Sequence, residues 1–195
     1  SAASDVYKRQ PFPVPLARVS TLIAGLPGAG KSSTLAAVIA GSAGLDDLAI
    51  IILDPKRVQF SHTVARCMVA RGVDNCTTAL DALTALMDHR YGYLEANGLD
   101  EWPRRWGRVL VIVDELAELM ATGDRKADTA RTVALRRLLQ LGRAAGVTVV
   151  AATQRPSASL IDSDARALFG ARIAHALDGP ESIRMAGLDP DLSLI

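Results

Sequence analysis

Short apolar runs separated by helix-length stretches of mixed polarity constrain this chain more than any other feature of its sequence. The runs are VSTLIAG at 19–25, LAIIILD at 48–54, RVLVIVDE at 108–115, VTVVAAT at 147–153 and ARIAHAL at 171–177. Their apolarity is nearly continuous rather than alternating, so both faces of each strand are buried, as in a parallel sheet covered by helices on both sides. KSSTLAAVIAG follows the first run as a helix, and ALDALTALMDHRYGYLEAN forms a long one, capped by Thr77 or Thr78 and closed by Gly98. Another helix follows the third run, breaks near Thr122-Gly123-Asp124 and resumes as far as Gly146. HTVARCMVARGV suits a strand or a helix equally. The expected fold class is α/β, three-layered, with a mostly parallel central sheet.

Composition sets the outer bounds. A chain of 195 residues, 49% hydrophobic and 22% charged, reads as one domain with a sizeable core. LAIIIL and VLVIV are too short to cross a bilayer. The start has no secretory pattern, and Cys67 and Cys76 form neither a CxxC motif nor a disulfide framework, so a cytoplasmic setting is expected. A net charge of +1 carries no global sign of a nucleic-acid partner. With 4% aromatic residues, a binder that stacks single-stranded bases on rings is not indicated. Asp5–Gln10 reads as a translated transposon-end adapter, and Pro11, Pro13 and Pro15 as an extended lead-in. Residues 1–15 are therefore set apart, and the domain is placed at 16–195, cut short at its carboxyl end.

GLPGAGKS, Gly25–Ser32, has the GxxxxGK[ST] spacing and lies between a strand and a helix. Glycines let the backbone curl until successive N–H groups face phosphate oxygens, and the new helix adds its positive end. Gly25, Leu26, Pro27, Gly28, Ala29, Gly30, Lys31, Ser32 and Ser33 are the expected nucleotide-binding residues. Lys31 reaches the β- and γ-phosphates, and the Ser32 hydroxyl completes a magnesium shell. An ordinary glycine turn would not require Lys-Ser at that offset. The motif alone specifies a triphosphate and leaves the task open.

VLVIVDE supplies the second part. Its apolar residues cross the sheet, and Asp114 emerges at the carboxyl end, where open α/β sheets place ligands. Asp114 can hold magnesium, and Glu115 can orient and deprotonate a water. Glu115 could otherwise merely favour a helix dipole. Beside a phosphate loop, the pair points to hydrolysis. In VTVVAATQRPSAS the apolar run ends in Gln154-Arg155-Pro156. If the first, third and fourth clear strands lie side by side, Gln154 emerges near the loop and the Asp-Glu pair. Its amide then contacts the γ-phosphate or the attacking water and senses whether that phosphate remains.

GLPGAGKSSTL, IILDPKRV, VIVDELAELM, GRAAGVTVVAATQRPSASLI and ARIAHAL occur in the order found in the FtsK/SpoIIIE family, which the chain resembles from about Val19 to about Leu177. The resemblance implies a RecA-like P-loop NTPase fold and an ATPase that pumps double-stranded DNA. It implies that Lys31 and Ser32 bind ATP and magnesium, that Asp114 is the magnesium carboxylate, Glu115 the catalytic base and Gln154 the sensor. It also implies a homo-oligomeric, hexameric ring, a membrane-anchored parent protein, and a role in chromosome segregation or conjugative transfer. The alternatives are a small-molecule P-loop kinase, a secretion ATPase acting on protein cargo, and a nucleotide-binding piece without turnover. A kinase needs an acceptor pocket and an arginine-rich lid, and protein cargo is disfavoured by the TQRP element.

Several residues stay open at this stage. Arg143, Arg155 and Arg172 are candidates for an arginine acting on a neighbouring subunit's nucleotide, while Arg143 could equally cap a helix end. Trp102 and Trp106 with Arg104, Arg105 and Arg108 read as a packed loop edge rather than a DNA patch. Lys56 in LDPKR follows the second strand and could bridge to a neighbouring loop, with no role assigned, and His62, His89 and His175 read as packing or surface residues.

Overall fold

The computed structural model describes residues 18–57, 67–154 and 163–187. Six strands form one sheet: β1 Thr21–Ala24, β2 Leu48–Asp54, β3 Cys67–Arg71, β4 Arg108–Val113, β5 Val147–Thr153 and β6 Ala171–Ala174. All pairings are parallel, in the spatial order β3-β2-β4-β5-β1-β6. Parallel neighbours require long crossovers. The helices are α1 Lys31–Ser42, α2 Val73–Asn97, α3 Leu116–Met120, α4 Arg125–Leu141, α5 Ser163–Ala167 and α6 Gly179–Met185.

The central strand shows why the apolar runs are continuous. Val109, Val111 and Val113 of β4 pack with Leu80 and Met87 of α2, Leu119 of α3 and Leu135 and Leu138 of α4. Leu110 and Ile112 point the other way and join Leu35 and Ile39 of α1. Helices thus cover both faces, and all of β4 is buried. Each such side chain stabilises the fold by about 1.5–3 kcal/mol. The three-layer α/β expectation is met.

Tertiary contacts move several boundaries. The long helix starts at Val73, ahead of the expected caps, and Thr77 and Thr78 instead donate back to the carbonyls of Val73 and Asp74, at 2.8 and 3.1 Å. Cys76 lies on its buried face, so packing extends the helix past its local start signal. Gly98 closes it at φ 62°, as expected. After the break, Asp124 caps α4 by accepting from Lys126 N and Ala127 N, both at 3.1 Å. That helix ends at Leu141 rather than at Gly146. A Cβ on Gly142 would lie 2.3 Å from the Leu138 carbonyl oxygen and 2.7 Å from that of Val147, so the chain turns where only glycine fits. Within HTVARCMVARGV, Cys67–Arg71 is strand, while His62–Arg66 lie outside the described residues.

The tryptophan segment is a packed loop edge. Trp102 and Trp106 meet edge to face with centroids 5.3 Å apart, and Tyr93 packs on both. The Arg90 guanidinium lies 4.5 Å over Trp102 and donates to the carbonyls of Ala145 and Gly107. Arg108 pairs with Asp47 at 3.3 Å. Arg108 opens β4 and Gly146 precedes β5, so this cluster occupies the amino-terminal edge of the sheet.

Candidate functional site

The opposite, carboxyl edge of the sheet collects the polar residues. β1 ends at Ala24, and the chain loops through Gly25–Gly30 into α1. Gly28 and Gly30 adopt φ of 73° and 105°, a region that glycine enters freely. Gly30 caps α1 without a side-chain hydrogen bond. The first-turn amides of that helix and its positive dipole end therefore face the loop, as anion binding requires.

Pro27, Gly28, Gly30, Lys31, Ser32, Ser33, Lys56, Asp114, Glu115 and Gln154 line one cleft of about 380 Å³, within the size range of small-ligand sites. Gly25, Leu26 and Ala29, expected among the binding residues, shape the loop rather than line the cleft. Lys31 Nζ donates to the carbonyl oxygens of Gly25 and Leu26, at 2.6 and 2.8 Å, and Ala29 N donates to Leu26 O at 3.1 Å. Burial pulls the Lys31 ammonium below its ordinary range, and Glu115 and Asp114 oppose that shift.

Glu115 is 2% exposed. It accepts from Ala117 N at 3.3 Å, capping α3, and both its oxygens accept from Gln154 N, at 3.1 and 3.2 Å. The strand-adjacency condition set by the sequence holds with β5 between β4 and β1, which brings Gln154, Lys31 and Glu115 to one cleft. Asp114 is 8% exposed. Its carboxyl is pushed up to about 6, first by burial, then by the charges of Asp54 and Glu115, with Lys56 and Lys31 pulling the other way.

Sequence reasoning missed three residues here. Asp54 ends β2 and is fully buried, and neither carboxylate oxygen has a hydrogen-bond partner among the described residues. Lys56 enters the cleft from the turn after β2, with Nζ 4.0 Å from Glu115 Oε2 and 3.5 Å from Glu118 Oε1. His175 follows β6, its N–H donates to Ala24 O at 2.8 Å, and its Nε2 lies 3.0 Å from Thr34 Oγ1. A Cβ on Gly25 would fall 2.8 Å from His175 Cβ. LDPKR after a strand was the prior signal for Lys56 and Asp54, and His175 was read only as a packing or surface residue.

The candidate trans-acting arginines separate. Arg172 donates to the carbonyls of Gly187 and Arg166, both at 3.1 Å. Arg143 follows the end of α4 rather than capping it and lies 3.5 Å from Glu101 on the amino-terminal edge. Arg155 lies outside the described residues, as does Pro156. His62 is also outside them.

Residues 4–108 and 100–158 match the FtsK/SpoIIIE family. The chain belongs to that family. Among its relatives, the DNA translocase FtsK of Chlorobaculum tepidum is 32% identical over 177 residues, 78% of this chain and 22% of the relative. That of Streptomyces coelicolor is 34% identical over 183 residues, 80% of this chain and 20% of the relative. The chain thus spans about a fifth of the length of these curated relatives. Among solved structures, the pCW3 conjugation coupling protein TcpA, with ATPγS, aligns with a TM-score of 0.77 at 21% identity, covering 91% of this chain and 54% of that one. The cytoplasmic domain of the Thermomonospora curvata type VII secretion ATPase EccC aligns at 0.75 and 20% identity, covering 92% and 23%. These likenesses establish the fold, which is RecA-like α/β as expected for the family. No helix among the described residues is long and apolar enough to cross a membrane.

Proposed function

We propose that this chain is the ATP-hydrolysing motor domain of a double-stranded DNA translocase. The observation that carries the reading is the clasp between Glu115 and the Gln154 main chain, at 3.1 and 3.2 Å, in the cleft that also holds Lys31 and Asp114. A kinase has no need to tie its base to a neighbouring strand end, whereas a motor must report the state of its phosphate along the chain. Family membership and the printed function of the relatives, DNA translocase, support the same reading.

The residues fit magnesium and a triphosphate. Asp114 is a buried carboxylate crowded by two others, Asp54 and Glu115, and nearby negative charge of this kind favours a divalent cation. Ser32 and Asp114 would hold the ion, which when bound neutralises charge on the transferring phosphoryl group. The loop amides from Gly28 onward and Lys31 Nζ grip the phosphates. Glu115 takes a proton from the attacking water on a carboxylate oxygen, and the bond from Gln154 N fixes its direction. Gln154 carries the change in that corner of the cleft into the segment after it. Double-stranded DNA, gripped through its phosphates with little base reading, is the cargo. A homo-hexameric ring on the cytoplasmic side of a membrane-anchored parent is the assembly, working in chromosome segregation or conjugative transfer.

The test is steady-state ATP hydrolysis by the full-length protein with and without duplex DNA. Stimulation by duplex, with loss of at least about 100-fold in Lys31→Ala and Glu115→Gln, is the expected result. A rate indifferent to duplex overturns the translocase reading, and stimulation by a small exported protein instead identifies protein cargo.

A further inference from the structure

Lys56 is the one charged residue of the cleft that neither phosphate motif accounts for. The fold takes trouble to put it there. Arg57 N donates to Asp54 O at 3.3 Å, closing a tight turn with Pro55 at its second position, where the fixed proline dihedral is favoured. Gly72 N donates to the same carbonyl at 2.9 Å and ties the turn to the end of β3. Arg57 adopts φ 61°, and it alone among the described non-glycine residues has a positive φ. Strained backbone of this kind persists where the surroundings over-determine it, often beside functional groups.

The sheet order explains what the turn aims at. β4 lies between β2 and β5, so the residue that ends β4 is flanked by the exits of both neighbours. From the β5 side, Gln154 N donates to both oxygens of Glu115. From the β2 side, Lys56 Nζ stands 4.0 Å from Glu115 Oε2 and 3.5 Å from Glu118 Oε1. Glu115 caps α3 and Glu118 lies in its first turn, and the ammonium bridges them. The Lys56 side chain is 33% exposed and that of Glu115 3%, so the pair is partly shielded from water. Lys31, from the other side of the cleft, donates to the carbonyls of Gly25 and Leu26.

We infer that Lys56 is a positioning residue for hydrolysis, which holds the Glu115 carboxylate from the β2 side while Glu118 tethers the ammonium. The inference rests on the hydrolase reading above. Two restraints from opposite sides fix a carboxylate's rotation where one does not, and catalytic geometry is steep in such displacement. Lys56 acts through Glu115 and is not needed to load the nucleotide.

The experiment uses the full-length protein with ATP and duplex DNA, and measures kcat, KM and the Kd for ATPγS. Lys56→Ala is expected to lower kcat by roughly tenfold or more, with KM and the ATPγS Kd unchanged within about twofold. Lys56→Arg, which keeps the charge, recovers most of the rate, and Glu118→Gln gives a smaller loss in the same direction. In a Glu115→Gln background, Lys56→Ala adds nothing, because the carboxylate it orients is gone. A kcat within twofold of wild type in Lys56→Ala overturns the inference and leaves the hydrolase reading intact. So does a fall in ATPγS binding as large as the fall in rate, which would make Lys56 a phosphate ligand. If Lys56→Ala does not fold, judged by its thermal midpoint, Lys56→Arg and Glu118→Gln decide by the same criteria. A wild-type protein that does not hydrolyse ATP overturns both readings.

Discussion

The main-chain N–H of Gln154 is shared by both carboxylate oxygens of Glu115, at 3.1 and 3.2 Å. The contact joins the exits of two neighbouring parallel strands, β4 and β5. Because the donor is backbone, no side-chain change at Gln154 short of proline removes it. Any movement of the β5 exit therefore acts on the direction of the carboxylate. Loss of the Gln154 side chain and loss of its N–H are separate perturbations.

Truncating Glu115 should cost stability as well as activity. Glu115→Ala leaves the N–H groups of Ala117 and Gln154 without their carboxylate acceptor, a penalty of about 1–3 kcal/mol for a buried donor. The thermal midpoint should fall by roughly 2–10 °C for a domain of this size. Glu115→Gln keeps one acceptor oxygen and should fall less while losing hydrolysis. Calorimetry on both variants checks this, and equal losses in the two would argue against the clasp as the cause.

The phosphate loop should be sensitive to its contact with β6. The Cβ of Gly25→Ala would meet His175 Cβ at 2.8 Å, an atom that cannot swing aside. Either the loop or the β6 exit must shift, and we expect ATPγS affinity to drop by roughly tenfold. Adding His175→Gly removes the obstructing atom and should restore part of the affinity, as measured by calorimetric titration. An unchanged affinity in Gly25→Ala alone would show that β6 yields freely.

Asp114 gives a pH dependence of known sign. In the folded state burial pushes its carboxyl up to about 6, above the ordinary carboxylate range, so the native state holds the proton more tightly than the unfolded chain does. The resulting stabilisation is complete below about pH 4 and is lost as pH rises through about 6. Asp114→Asn, an uncharged isostere, should accordingly gain midpoint over wild type as pH rises from 4 to 8, measured without nucleotide or magnesium. A gain that is the same at both ends of that range would assign the effect to something other than this carboxyl.

Much of the site was legible because its signals are local. The glycine spacing of Gly25–Ser32 fixes a loop conformation within one turn of chain, and the Asp114-Glu115 pair directly follows its strand. The runs at 48–54 and 147–153 became β2 and β5 without a change of boundary. Thr77 and Thr78 failed as caps because burial of Cys76 and Leu80 extends the helix that local polarity would have ended. Lys56, Asp54 and His175 could not be read, since each matters only through a strand neighbour distant in sequence.

The amino-acid sequence by itself determined that buried strands alternate with helices, that a phosphate loop follows the first strand, and that a carboxylate pair follows another. Periodicity and glycine placement act over a few residues and need no partner to be recognised. Only the tertiary structure decided that β4 lies between β2 and β5 and that β1 lies between β5 and β6. That order is set by how helices and strands bury one shared core, and it alone brings Lys56 and Gln154 to opposite sides of Glu115 and His175 against the phosphate loop.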